Sequence, residues 1–256
     1  LADLIYSSDT GGRIWRIDLN NKPATGDSMV SAGGLIADMN EDSSNNIRFY
    51  NTIDVAYISA GVSGVEKHFQ LSIGSGYRAH PLDKAVRNRF YLINDFHITE
   101  KPYDDDQDAD KFYETITESD LLNTTAGNIS TTDKSNQKGM YYILANAGEK
   151  VLARSITVDN TVFFTTYRPN DGLASTSCEP NVGFAKLYRM SPKPGGLDTA
   201  DNVSVTGDDL GQTGIPPQPI VLYPPPPESD PGPCPLNPSD PAAAENSEQH
   251  GRARAT

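Results

Sequence analysis

The stretch LIYSSDTGGRIWRIDL, residues 4–19, decides the fold class. Two runs of aliphatic, aromatic and β-branched residues, Leu4–Tyr6 and Ile14–Leu19, flank the turn residues Ser8, Asp9, Thr10, Gly11 and Gly12. Asp9 can bond the backbone ahead of it and either glycine can take a positive φ, so the stretch predicts a β-hairpin. In its second strand Ile14, Arg16 and Asp18 alternate with Trp15, Ile17 and Leu19. A period of two puts each trio on its own face, and the more apolar trio carries the only Trp of the chain. Trp15 is therefore expected to pack in the core.

The same alternation of short apolar runs and turn residues continues along the chain. Strands are expected at Ile47–Tyr50, Asp54–Ser59, His68–Gly74, Arg89–Ile93, Met140–Leu144, Lys150–Val158, Thr161–Tyr167 and Phe184–Met190. Asp159 and Asn160 join two of them as a tight hairpin turn. Helical periodicity is confined to a turn or two near Asp83–Asn88 and Lys111–Leu122. Many short strands with turns between them mean an all-β fold. A polar, acidic insertion near 99–139 interrupts the strands, and a Pro-rich composition sets in after Ile215.

The 256 residues carry 21 basic and 34 acidic side chains, a formal net charge of −13. That balance repels nucleic acid and anionic membrane surfaces, and suits a cation-binding or extracellular protein. No apolar run approaches the roughly 18 residues of a membrane span. Neither an initiator Met nor a signal peptide opens the chain, which begins in strand-like sequence. A fragment is expected, with any targeting signal upstream.

RIWRIDL at 13–19 and KLYRMSP at 186–192 repeat one pattern of base, apolar residue, aromatic, Arg and apolar residue. Such repetition suits a β-propeller, in which each four-stranded blade buries its faces only against its neighbours. Roughly 190 residues of strand-and-turn sequence, at about 40–50 per blade, make three to four blades, so the propeller is incomplete. Residues 1–222 are read as that segment and 223–256 as a disordered Pro-rich tail.

The same segments carry a family resemblance. DLIYSSDTGGRIWRIDL, RFYNTIDVAYI, LSIGSGYRAHPLDKAVRNRFYLINDF, GEKVLARSITVDNTVFFTTYRP, GFAKLYRM and GIPPQPIVL stand in an order that resembles the C-terminal part of the PilC/PilY family. Those are type IV pilus biogenesis and tip-associated adhesin proteins of Gram-negative bacteria. The resemblance implies a modified quinoprotein-like β-propeller and export through the periplasm to the outer membrane, cell surface and pilus tip. It further implies a non-enzymatic role in pilus extension, adhesion and twitching motility, with minor pilins and a host-surface receptor as partners. In the family a calcium loop, D-x-D-x-D-G-x-x-D, precedes the strand Y-x-x-D-x-x-G-x-x-W-R, met here as Tyr6, Asp9, Gly12, Trp15 and Arg16. Only the loop's last carboxylate, Asp3, falls inside this sequence, and one carboxylate cannot hold calcium. The runner-up is a fragment of a quinoprotein-type dehydrogenase. Those enzymes carry a docking Trp in nearly every blade and often a vicinal Cys pair, whereas this chain has one Trp and distant cysteines.

Other motifs carry less. The acidic run Asp104–Asp110 has alternating carboxylates but lacks the loop glycine and the twelfth-position Glu of a calcium hand, and reads as a solvated charge run. Gly74-Ser75-Gly76-Tyr77-Arg78-Ala79 spells G-x-G-x-x-A after a strand, with Asp95 about twenty residues on. A dinucleotide fold needs a helix to open there, and Pro81 forbids one, so the glycines are expected to let a strand bulge and turn. Gly61-Val62-Ser63-Gly64 lacks the spacing of a nucleophile elbow. The four histidines, His68, His80, His97 and His250, show no zinc spacing. Cys178 and Cys234, 56 positions apart, could bridge in an exported protein, closing a loop worth roughly 4 kcal/mol, or remain free thiols. The sequons at Asn123, Asn128 and Asn202 matter only in a eukaryotic secretory pathway.

Overall fold

The computed structural model describes residues 3–20, 23–41, 45–58, 67–98, 115–125, 138–170, 182–191 and 204–222. The chain divides into two units, Leu1–Pro219 and Ile220–Thr256. The first unit is all-β. Fourteen strands are described: β1 Leu4–Ser8, β2 Arg13–Leu19, β3 Val30–Asp38, β4 Asp54–Ile58, β5 His68–Gly74, β6 Arg89–Asp95, β7 Ile116–Thr117, β8 Leu122–Asn123, β9 Gly139–Ile143, β10 Lys150–Val151, β11 Ile156–Val158, β12 Thr161–Arg168, β13 Phe184–Ser191 and β14 Ser204–Asp209. They make three open sheets. Sheet I runs β1-β2-β3-β7, sheet II runs β4-β5-β6-β9-β8, and sheet III runs β10-β12-β13-β14 with β11 also on β12.

The opening hairpin forms as its residues dictate. β1 and β2 pair antiparallel from Leu4 opposite Asp18 to Ser8 opposite Ile14. Gly12 takes φ +80° at the turn, the left-handed region where a side chain is strained. The Asp159–Asn160 turn has φ of 48° and 57°, the twist that joins β11 to β12 without splaying them.

Sheet II is covered on both faces, and β6 shows how. Its Tyr91 and Ile93 pack with Leu71, Ile73, Ile14 and Ile36 in the seam against sheet I. Phe90 and Leu92, one residue out of phase, pack with Val151, Val162, Phe164, Tyr188 and Met190 in the seam against sheet III. A strand apolar on both faces belongs to the middle of a stack. Each of these side chains contributes about 1.5–3 kcal/mol by leaving water.

Three expectations from the sequence are corrected. Trp15 is not in the core: it is 37% exposed, while Ile14, Arg16 and Asp18 on the opposite face are buried. The more polar trio turns inward because its two charges find partners. Residues 47–50 join no strand ladder. Their backbone is bound elsewhere, with the Asn40 amide bridging Ile47 N and O, Phe49 N donating to Asp9 O, and Arg48 O accepting from Gly76 N. The single strand expected over 150–158 is two short ones, β10 and β11, separated on the same side of β12.

Candidate functional site

The hairpin turn is braced by one carboxylate. Asp9 Oδ1 accepts from Gly11 N at 2.8 Å and Arg13 N at 3.2 Å, alongside the backbone bonds Asp9 N to Arg13 O and Gly12 N to Asp9 O. Its Oδ2 accepts from Trp15 Nε1 at 3.0 Å and pairs with Arg13 at 3.1 Å. Partial burial opposes ionisation of this carboxyl, but the Trp15 N–H, the two amides and the Arg13 charge together hold it below the usual carboxylate range.

Beneath the turn an ionic network fixes the hairpin to sheet II. Arg16, 1% exposed, grips Asp18 with two parallel bonds of 2.7 and 3.1 Å. It also donates to Asp95 Oδ2 at 2.9 Å and to the His97 carbonyl at 2.6 Å. Tyr6 donates to the same Asp95 oxygen at 2.7 Å. Burial, then the Asp95 charge, pushes the Tyr6 phenol well above its ordinary value and keeps it a donor. A guanidinium between two carboxylates with its remaining donors used can be buried at tolerable cost.

Beside the turn lies an aromatic ledge built from segments 47–53 and 75–83. The Arg48 guanidinium sits 4.1 Å over the Tyr77 ring. Tyr50 stacks on Tyr77 at 6.3 Å and 26°, and His80 meets the ring edge-on at 4.6 Å. Two open hollows flank the ledge. One, of about 590 Å³, is lined by Tyr77, Ala79, His80, Pro81, Leu82 and Asp83. The other, of about 350 Å³, lies between Tyr6–Thr10 and Phe49–Ile53. Both volumes fall in the range of about 300–1,000 Å³ that small ligands occupy.

The G-x-G-x-x-A stretch supplies part of this ledge, and its glycines serve a strand. A Cβ at Gly74 would collide with the Val151 side chain, and one at Gly76 would lie 2.8 Å from both Lys150 Cβ and Val151 O. The two glycines thus let β10 press against the end of β5, where Val151 N donates to Ser75 O at 3.0 Å. Arg78 Nη1 reaches Leu152 O at 3.0 Å. Two tight turns then carry the chain onward, closed by His80 N to Tyr77 O and Asp83 N to His80 O. No helix opens at the glycines, so no helix N-terminus faces them.

Asp3 stands exposed at the head of β1, its carbonyl accepting from Leu19 N at 2.8 Å. Among the described residues no group of three acids, histidines or cysteines could hold a metal ion. One carboxylate does not fit calcium, which takes about six to eight oxygens. Residues 61–64, 104–110 and 223–256, with Cys178, Cys234, His250, Asn128 and Asn202, lie outside the described residues. His68 is buried against the Phe96 ring at 4.8 Å. Among the described residues no helix is long and apolar enough to cross a membrane. No family model matches the chain, and neither the curated proteins nor the solved structures give a significant match.

The ledge is not legible in the sequence because Arg48 and Tyr50 stand 27 to 32 positions from Tyr77 and His80, in segments that read as a strand and as a glycine bulge. The signal that could have found them is aromatic spacing: Tyr50, Tyr77 and His80 fall in polar, turn-rich sequence where a core role is hard to supply.

Proposed function

We propose that this chain is a β-propeller segment of a non-enzymatic surface protein of the PilC/PilY kind, acting in type IV pilus biogenesis and adhesion at the pilus tip. The observation that carries this reading is the stack of three open sheets, with sheet II buried between two neighbours as a propeller blade is. The residues of the resemblance support it further. Tyr6 and Arg16 converge on Asp95, while Asp9 and Gly12 build the turn that carries Trp15. Partners on this reading are minor pilins and a host-surface receptor, met after export through the periplasm. Calcium regulation, where it acts, draws its ligands from residues other than those described, since Asp3 alone supplies too few oxygens. The ledge and its two hollows are the surface we assign to partner contact. The quinoprotein alternative gains no support from Trp15, which is partly exposed and bonded to Asp9.

The test is genetic and biochemical. Deleting the encoding reading frame from the source bacterium should strip surface pili and abolish twitching, and the chain should recover minor pilins from sheared pilus fractions. Normal piliation and motility in the deletion strain would overturn the proposal.

A further inference from the structure

The connection from β5 to β6, residues 75–88, forms the wall of the larger hollow, and its middle pairs with no strand. A buried cation reaches into it from sheet III. Lys150, in β10 and 1% exposed, donates from Nζ to the carbonyls of Pro81, Asp83 and Gly148, each at 2.7 Å. An ammonium has three N–H donors and no acceptor, so all three are used. Two of the three acceptors belong to the wall. The third belongs to the turn ahead of β10, which is itself locked by Glu149 N to Asn146 O and by Asn146 Nδ2 to Glu149 Oε2 at 2.6 Å.

The anchor is therefore rigid, and the wall is the end able to move. Arg78 adds a tether through Leu152 O, Arg48 and Tyr50 hold the Tyr77 ring at the near end, and Val86 gives the far side an apolar foothold on the seam with sheet I. Between these points the wall carries turn bonds of its own, His80 N to Tyr77 O and Asp83 N to His80 O, and their amides report its opening. We propose that Lys150 is a strap: it holds the 77–87 wall closed, and its release lets that wall open locally and reshape the hollow. This conformational device stands on geometry alone and does not depend on the pilus reading.

Amide hydrogen exchange of the whole chain tests it. In Lys150→Met the amides of His80 and Asp83 should exchange about tenfold faster or more, with β5 and β6 amides unchanged. Lys150→Arg, which keeps a cation, should stay closer to wild type than the Met variant. Unchanged exchange at His80 and Asp83, or equal acceleration throughout β5, β6 and β12, would overturn the strap. Should Lys150→Met fail to fold, the wild-type protein decides. Its His80 and Asp83 amides should share one opening free energy below that of β6, and opening only together with β6 would sink the proposal.

Discussion

Sheet II is held by two seams of different chemistry. Toward sheet I the apolar cluster is completed by charge, with Arg16 between Asp18 and Asp95 and Tyr6 bonded to Asp95. Toward sheet III it is completed by rings. Phe90, Phe164 and Tyr188 stack in a near-parallel ladder, at 3.8 Å and 5°, then 5.0 Å and 3°. The fully buried carboxylate on that side, Glu149, accepts from neutral donors: Thr166 Oγ1 at 2.7 Å, Tyr188 OH at 2.9 Å and the Asn146 amide. Arg16 and Glu149 are thus admitted one to each seam by full hydrogen bonding, to charged partners in the first and to neutral donors in the second.

The largest effects should come from breaking each seam at its centre. Arg16→Met leaves Asp18 and Asp95 buried with no guanidinium between them, and should cost about 3–5 kcal/mol in urea unfolding. Phe164→Ala removes the middle ring of the ladder, and should cost about 3–4 kcal/mol through lost burial and a cavity. Equal size would hide the difference in cause, so acid separates them. The Arg16→Met deficit should shrink from pH 7 to pH 4.5, because stranded carboxylates escape their penalty by protonating. The Phe164→Ala deficit should not. Parallel pH profiles for the two variants would show that the first seam is not electrostatic in character.

These seams also mark what could be read from sequence. β5 is met at the bounds expected, His68–Gly74, because seven residues of apolar alternation end at a glycine. β12 and β13 extend the expected Thr161–Tyr167 and Phe184–Met190 by one residue each. β3 gave no signal: its centre is Gly33 and Gly34, poor strand formers held in place by pairing opposite Ile17 and Arg16. β14, with the sequence SVTGDD, is polar and becomes a strand by pairing with β13. The inner face of β2 runs against its hydrophobicity for a related reason. Hydrophobicity ranks Trp15, Ile17 and Leu19 above Ile14, Arg16 and Asp18, but Asp95 lies 77 to 79 positions from the two charges it helps to bury. Local sequence does not show such a partner.

An intermediate effect belongs to the edge of the second seam, at Lys150. Burial is the main influence on its ammonium, and with Lys84 it outweighs the pull of Asp83, so its pKa is pushed down to about 8 from 10.5. The unfolded chain keeps that proton up to about pH 10.5, so between about pH 8 and 10.5 the unfolded state binds more protons and stability from this group rises with pH. It is lost again as pH falls through about 8. For one proton the slope is at most about 1.4 kcal/mol per pH unit. The urea midpoint of the wild type should gain on that of Lys150→Met as pH is raised from 7.5 to 9.5. A slope of opposite sign would mean that the three carbonyls favour the charged form more strongly than burial opposes it.

The smallest effect should be at Trp15, and it bears on which face of sheet I is the inner one. A Trp packed in a seam would cost about 3–5 kcal/mol on truncation. Trp15 instead has its ring partly in water, one N–H on Asp9 and the Arg13 guanidinium 5.8 Å from its centre. Such exposed contacts are worth about 1 kcal/mol or less together. Trp15→Ala should therefore lower stability by about 1 kcal/mol at most. Asp9→Ala should cost more, about 1–2 kcal/mol, because it also frees the Gly11 and Arg13 amides that close the turn. The chain has no other Trp, so its fluorescence reports this site alone. In the folded protein acrylamide should quench it readily, and Asp9→Ala should alter the emission by freeing the indole N–H. A Trp15 shielded from acrylamide, with a truncation cost of several kcal/mol, would place the Trp15 face inside a seam and reverse the assignment of inner and outer faces in sheet I.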